Sequence, residues 1–220
     1  MIRQLIVATL ASSTALNVAL ADDAGTSKVM GAVDIAPGQH AGEVSTVNGS
    51  IHIGENAVVG HTNTVNGSVT LERRGTASEL TTVNGSVHVH DEARVTGQVH
   101  SVNGAISVDN GADVKGDLGN VNGGIHVAAA HVGGSIDTTT GGITLGPNAH
   151  IDGNVTMQKD SSWFHFGFQE IPRVVIGPGT VVKGRLRFER KVALYVSDHA
   201  TIGPVEGATV VKFSGNSPPQ

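Results

Sequence analysis

The chain of 220 residues has no cysteine, 3% aromatic residues and 15% charged residues. Without cysteine there is no disulfide framework and no thiolate chemistry. With so few large side chains a thick core is hard to build, which argues against an ordinary globular enzyme. The 19 acidic residues outnumber the 14 basic ones, so the basic surface of a nucleic-acid binder is missing and no nucleic-acid partner is expected. There is no G-x-S-x-G elbow, no HExxH and no P-loop. What remains is a chain with 39% apolar residues and 30 glycines. Disordered chains are charge-rich and apolar-poor, so this composition predicts thin, repetitive β-structure instead.

Residues 1–21 read MIRQLIVATLASSTALNVALA. Arg3 supplies a positive start, an apolar stretch follows, and Ala19-Leu20-Ala21 forms an A-x-A cleavage site. This is the pattern of a secretory signal peptide cut after Ala21. It predicts a periplasmic or secreted protein, with residues 22–28 as a short lead-in.

A repeat dominates the rest. VMGAVDI starts at Val29, VNGSIHI at Val47, VNGSVTL at Val65, VNGSVHV at Val83, VNGAISV at Val102 and VNGGIHV at Val121, with a degenerate TTGGITL at Thr139. Their last residues, Ile35, Ile53, Leu71, Val89, Val108, Val127 and Leu145, are spaced 18, 18, 18, 19, 19 and 18 apart. A finer six-residue beat runs through Ile35, Ala41, Val47, Ile53, Val59, Val65 and Leu71. The two periods predict an all-β, single-stranded, three-sided parallel β-helix, a solenoid with 18–19 residues per coil and one short strand per side. One coil cannot bury its apolar face, whereas stacked coils can. Alternation along each strand turns Ile51 and Ile53 inward and His52 outward.

Gly31, Gly49, Gly67, Gly85, Gly104, Gly123 and Gly141 fall at one position of each coil, just before a strand. That position is expected to be a corner with positive φ. Asn48, Asn66, Asn84, Asn103 and Asn122 precede the glycines, and stacked amides there can bond along the axis as a ladder. Asn48, Asn66 and Asn84 also match a glycosylation acceptor, but the corner reading covers every copy.

The opposite side of the coil carries ARVTGQV from Ala93, ADVKGDL from Ala112, AHIDGNV from Ala149 and TVVKGRL from Thr180. This A-x-V-x-G-x-V phrase and the three-sided coil resemble the bactofilins, polymer-forming bacterial β-helix proteins. The VNGS-I-x-V phrase is similar to bacterial adhesin-like β-solenoid domains of unknown function. The resemblance covers 29–157 and 174–205, favours a right-handed coil, and implies a polymer-forming or adhesive role. Bactofilins are mostly cytoplasmic, and the export signal sets this chain apart from them. The hexad also resembles that of left-handed hexapeptide acyltransferases, but Glu72, His90 and Asp109 stand where those carry a small residue.

The repeat breaks at 158–173, QKDSSWFHFGFQEIPR, where four of the seven aromatics sit. Trp163, Phe164, Phe166 and Phe168 are expected either to fold onto a coil face or to offer a sticky patch for a partner, for self-association or for a membrane surface. Solenoid coils resume over 174–213, and 214–220 is expected to be disordered. Residues 22–160 carry 15 acidic and 6 basic side chains, whereas 161–220 carry 4 acidic and 7 basic, with Arg185 and Arg187 in a basic cluster. This asymmetry favours head-to-tail contact or an anionic surface.

Eleven histidines raise the question of metal. His52, His88 and His126 share one outward column but lie about 10 Å apart, too far to share an ion. The better candidate is His88 and His90 on one strand, with His90 between Glu72 and Asp109 of the adjacent coils, a loose divalent-ion site at most. No other cofactor is expected. The combined reading is a non-enzymatic, exported solenoid of about nine coils with a structural, adhesive or polymer-forming role in the bacterial envelope. Its partners would be other copies stacked end to end, an envelope glycan or a membrane surface. The alternative is a glycan-binding or glycan-cleaving β-helix.

Overall fold

The computed structural model describes residues 26–159, 171–215 and 217–218. The described chain is all-β: short parallel strands climb a solenoid, and no helix occurs among the described residues. The first face is a ten-stranded parallel sheet, from Val33–Ile35 to Val210–Phe213. The second and third faces form one 17-stranded sheet. They merge because in two coils a single nine-residue strand, Val58–Asn66 or Thr76–Asn84, runs through the corner between them.

The spacing of the repeat is the register of the first face. Ile35, Ile53, Leu71, Val89, Val108, Val127, Leu145, Ile176 and Val196 stack directly, the step of 31 residues before Ile176 included. All are buried at 1% exposure or less. The first strand begins at Thr26, inside the segment read as a lead-in, and pairs with Val44–Asn48. At the other end Val196 pairs with Lys212, which is exposed, while Phe213 is buried beside it. The inward column therefore stops at Val196, where the next coil turns Lys212 to solvent. Ser217 and Pro218, in the segment expected to be disordered, line a cavity on the first face with Thr144, Arg173 and Val175.

The six-residue beat does not survive on the third face. Val47 and Val65 are 40% exposed and Val83 36%, while Thr46, Thr64, Thr82 and Ser101 are buried. The corner between the second and third faces takes only Gly42 and Glu43, so inward Val44 follows inward Ala41 after three residues rather than six. Alternation then places Thr46 inside and Val47 outside. The buried hydroxyl has a task that a valine could not perform. Thr46, Thr64, Thr82 and Ser101 donate to the carbonyls of Gly31, Gly49, Gly67 and Gly85, at 3.2, 2.9, 2.8 and 2.9 Å. These carbonyls line the corner, where no strand ladder can take both of their lone pairs.

The corner glycines are required for a different reason from the one expected. Gly31 and Gly123 have φ of 101° and 132°, but Gly49, Gly67, Gly85 and Gly104 are not left-handed. A Cβ on Gly67, Gly85 or Gly104 would instead stand 2.0 Å from the glycine carbonyl oxygen of the preceding coil. Close approach of stacked backbones, not backbone angle, excludes a side chain there. The asparagine ladder forms as expected: Asn66, Asn84, Asn103 and Asn122 each donate Nδ2 to Oδ1 of the asparagine one coil earlier, all at 2.9 Å.

Left-handed residues stand at the other corner, after the first-face strand. Gly38, Asn56, Arg74, Glu92, Gly111, Asn148 and Gly179 form that column, with φ between 56° and 72°. Arg74 and Glu92 are poorly suited to this geometry. Glycine should therefore be favoured at both corners, for a different reason at each. Gly85→Ala is expected to cost about 3 kcal/mol through backbone collision, with Ser86→Ala within about 0.5. Glu92→Gly is expected to gain about 0.5–1 kcal/mol by relieving left-handed strain. Urea unfolding of the three variants against the parent measures all three differences.

Candidate functional site

The outward side chains of the first face fall where the repeat places them. His52, His88 and His126 alternate with Thr70, Ser107 and Thr144 in one column. His90 Nδ1 lies 2.8 Å from Asp109 Oδ2, and the His88 and His90 rings stack with centroids 6.4 Å apart. Glu72, however, turns to the first-face column, with Oε1 3.7 Å from His52 Nδ1. The candidate metal set is thus divided into a His90–Asp109 pair and a Glu72–His52 pair. Arg185 is paired with Glu206 at 3.2 Å and Arg187 with Glu189 at 3.0 Å. Trp163, Phe164, Phe166 and Phe168 lie outside the described residues, as do residues 1–21.

The densest cluster of titratable groups is on the second face, where sequence reasoning placed only a structural phrase. Arg94, Asp113, His131 and His150 occupy one outward column on four successive coils. Two residues further along each coil the column reads Thr96, Lys115, Gly133, Asp152 and Lys183. Gly133 has no side chain, so Asp152 and His131 meet across the space beside it. His131 Nδ1 lies 2.8 Å from Asp113 Oδ1 and its Nε2 3.2 Å from Asp152 Oδ2. His150 Nε2 lies 3.2 Å from Asp152 Oδ1. Lys115 holds Asp113 at 2.9 Å, with Arg94 3.5 Å away, and Lys183 holds Asp152 at 2.8 Å. The signal was the pair of phrases AHVGG and AHIDG, which put two histidines in register and an aspartate two residues after the second.

A neutral imidazole donates from one nitrogen only, so carboxylates at both nitrogens favour the imidazolium of His131. The hydrogen bond to Asp113, assisted by Asp152, raises its pKa above 6.5 despite partial burial. Burial pushes Asp113 up, but His131 and Lys115 outweigh it and hold the carboxyl below its ordinary 3.8. Lys183 first, and then His131, lower Asp152 to about 2.

A second polar site is a notch of about 360 Å³ on the third face, lined by Gln98, His100, Asp117, Gly119, Asp137 and Gln158 among others. His100, Gly119 and Asp137 are consecutive in one column, so the missing side chain of Gly119 opens the notch. Burial raises the Asp137 carboxyl above 3.8, Asp117 adds to this and a hydrogen bond with Thr156 opposes it.

No protein-family model, curated protein or solved structure matches the chain. Function must therefore be argued from its own surface.

The charge ladder makes a pH prediction of definite sign. Asp113 and Asp152 have lowered pKa values, so their contribution is present above the ordinary 3.8 and is lost as pH falls through their folded values. His131 has a raised value, so its contribution is full below the ordinary 6.5 and is lost as pH rises through its folded value. The ladder stabilises most between these limits. Thermal melting from pH 5.5 to 8.5 is expected to show a fall in Tm for the wild type that is smaller in His131→Gln. Equal falls would assign the pH dependence to other groups.

Proposed function

We propose that the chain is an exported, non-enzymatic β-solenoid with a structural, adhesive or polymer-forming role in the bacterial envelope. The signal-peptide pattern supports export, and the bactofilin-like and adhesin-like phrases support the role. The observation that carries the reading is that, among the described residues, each end of the coil stack presents an unpaired sheet edge. Among the described residues the first strand, Thr26–Met30, pairs only with Val44–Asn48, and the last, Val210–Phe213, only with Ala193–Ser197. Val29 and Met30 are 71% and 77% exposed, and Ile202, Val205 and Val210 of the last coil are only partly buried. Open edges template further strands. The acidic early part and the basic late part favour head-to-tail stacking.

Light scattering of the chain from Asp22 across a concentration series tests this. The expected result is a mass that grows in whole multiples of the monomer and falls at high salt. Val29→Lys combined with Met30→Lys is expected to hold it at the monomer. A constant monomer mass at every concentration contradicts the polymer reading.

A second reading, an envelope glycan-binding or glycan-cleaving β-helix, is favoured by the notch in which two aspartates sit beside His100 and one is held above its ordinary pKa. A panel of soluble polysaccharides, assayed for binding and cleavage with the parent, Asp137→Asn and Trp163→Ala, separates it from the first. Binding lost in either variant favours the glycan reading.

A further inference from the structure

His131 and His150 are cross-strand neighbours on adjacent coils, with ring centroids 5.7 Å apart. Both direct Nε2 at a single carboxylate, one to each oxygen of Asp152, at 3.2 Å. The His131 contact, a hydrogen bond, needs a proton on Nε2, yet His131 already commits its Nδ1 to Asp113 at 2.8 Å. When His131 is neutral and donates from Nδ1, its Nε2 lone pair faces the carboxylate, an unfavourable contact. A cation between them relieves it. That cation can be the proton of the imidazolium or a metal ion.

The geometry points to His131, His150 and Asp152 as a surface site for a zinc-class divalent transition cation, bridging two coils. Four features support it. Ligand atoms about 2.0–2.2 Å from a tetrahedral zinc lie about 3.3–3.6 Å from one another, and each nitrogen–oxygen separation here, 3.2 Å, is close to that. Asp113 on Nδ1 of His131 is the outer carboxylate that fixes the tautomer and leaves Nε2 as the donor. The three side chains are 34–38% exposed, so an ion has access and water can fill the fourth position. Two imidazoles and one carboxylate select zinc, nickel or copper over magnesium or calcium.

As the side chains stand, no three His, Asp or Glu groups among the described residues enclose an ion. In this closed form hydrogen bonds and Lys183 take up the donors. Lys183, 2.8 Å from Asp152 Oδ1, is the resident competitor. Arg94 and Lys115 face Asp113 and add to the opposing positive charge. The His88–His90 pair is different, because its one close carboxylate, Asp109, reaches only His90.

Calorimetric titration of zinc chloride into the chain from Asp22 tests the site, with circular dichroism to verify that each variant is folded. At pH 7.5 one saturable site per chain is expected, weakening about tenfold or more at pH 5.5 as the imidazoles take protons. It should vanish in His131→Ala combined with His150→Ala and weaken about tenfold in Asp113→Asn. It should tighten in Lys183→Gln and be unchanged in His88→Ala combined with His90→Ala. Zinc should also raise the Tm of the parent but not of the His131→Ala, His150→Ala variant. Absence of saturable binding at pH 7.5, or binding that survives loss of both His131 and His150, overturns the assignment. If the double variant does not fold, tightening in Lys183→Gln supports the site and unchanged binding there refutes it.

Discussion

The contact on which the solenoid depends is between glycines of successive coils. At the corner before each first-face strand the backbones pass so closely that a Cβ on Gly67, Gly85 or Gly104 would penetrate the carbonyl beneath it. This approach lets the amides of those glycines donate to the asparagine carbonyls of the next coil, at 2.8 to 3.0 Å. It also brings each glycine carbonyl within reach of the buried hydroxyl one coil later. Outside the corner the asparagine side-chain amides bond in the opposite direction, each to the coil before it. Two antiparallel chains of hydrogen bonds, one of peptide groups and one of side-chain amides, thus run along the axis at one edge of the prism, with the hydroxyl–carbonyl bonds as single links between coils. Mutual polarisation along such chains is cooperative, and they set the register that the aliphatic columns then fill.

With the core supplied by small and branched residues, the outward positions are free to vary, and each becomes a column of side chains about 4.8 Å apart. A column concentrates whatever chemistry its coils carry. Alternating hydroxyl and imidazole groups line the first face. On the second face, carboxylates and imidazoles meet lysines and an arginine in one network. Gly133 omits a side chain and so lets His131 and Asp152 of adjacent coils meet diagonally beside it, and Gly119 opens the notch between His100 and Asp137 on either side of it. Polar clusters on this scaffold are therefore placed by gaps in a column as much as by the residues that fill it.

Much of the architecture was legible because a repeat states its own register. The column from Ile35 to Leu145 and the asparagine ladder follow from counting residues. The third face was misread because a regular six-residue beat was carried through a two-residue corner. The short corner turns Thr46 inside and Val47 outside, and the hydrogen bond of Thr46 to a glycine carbonyl satisfies the buried hydroxyl. The corner glycines were identified, but positive φ holds only at Gly31 and Gly123, and at the others the reason is crowding between coils, which has no trace within a single coil. Left-handed Arg74 and Glu92 carry no sequence signal, because neither residue type favours that geometry. The His131–Asp152 cluster joins residues 21 positions apart through a missing side chain, whereas the reading along the strand favoured His88 and His90.

Amide hydrogen exchange at the corner tests the central claim most directly. If coil-to-coil contact at the glycines sets the register, the amides of Gly49, Gly67, Gly85 and Gly104 should be as protected as that of Val69, which donates to Ser86 within the first-face stack. Exchange of these glycine amides at rates typical of open turns, with Val69 still protected, would contradict the account.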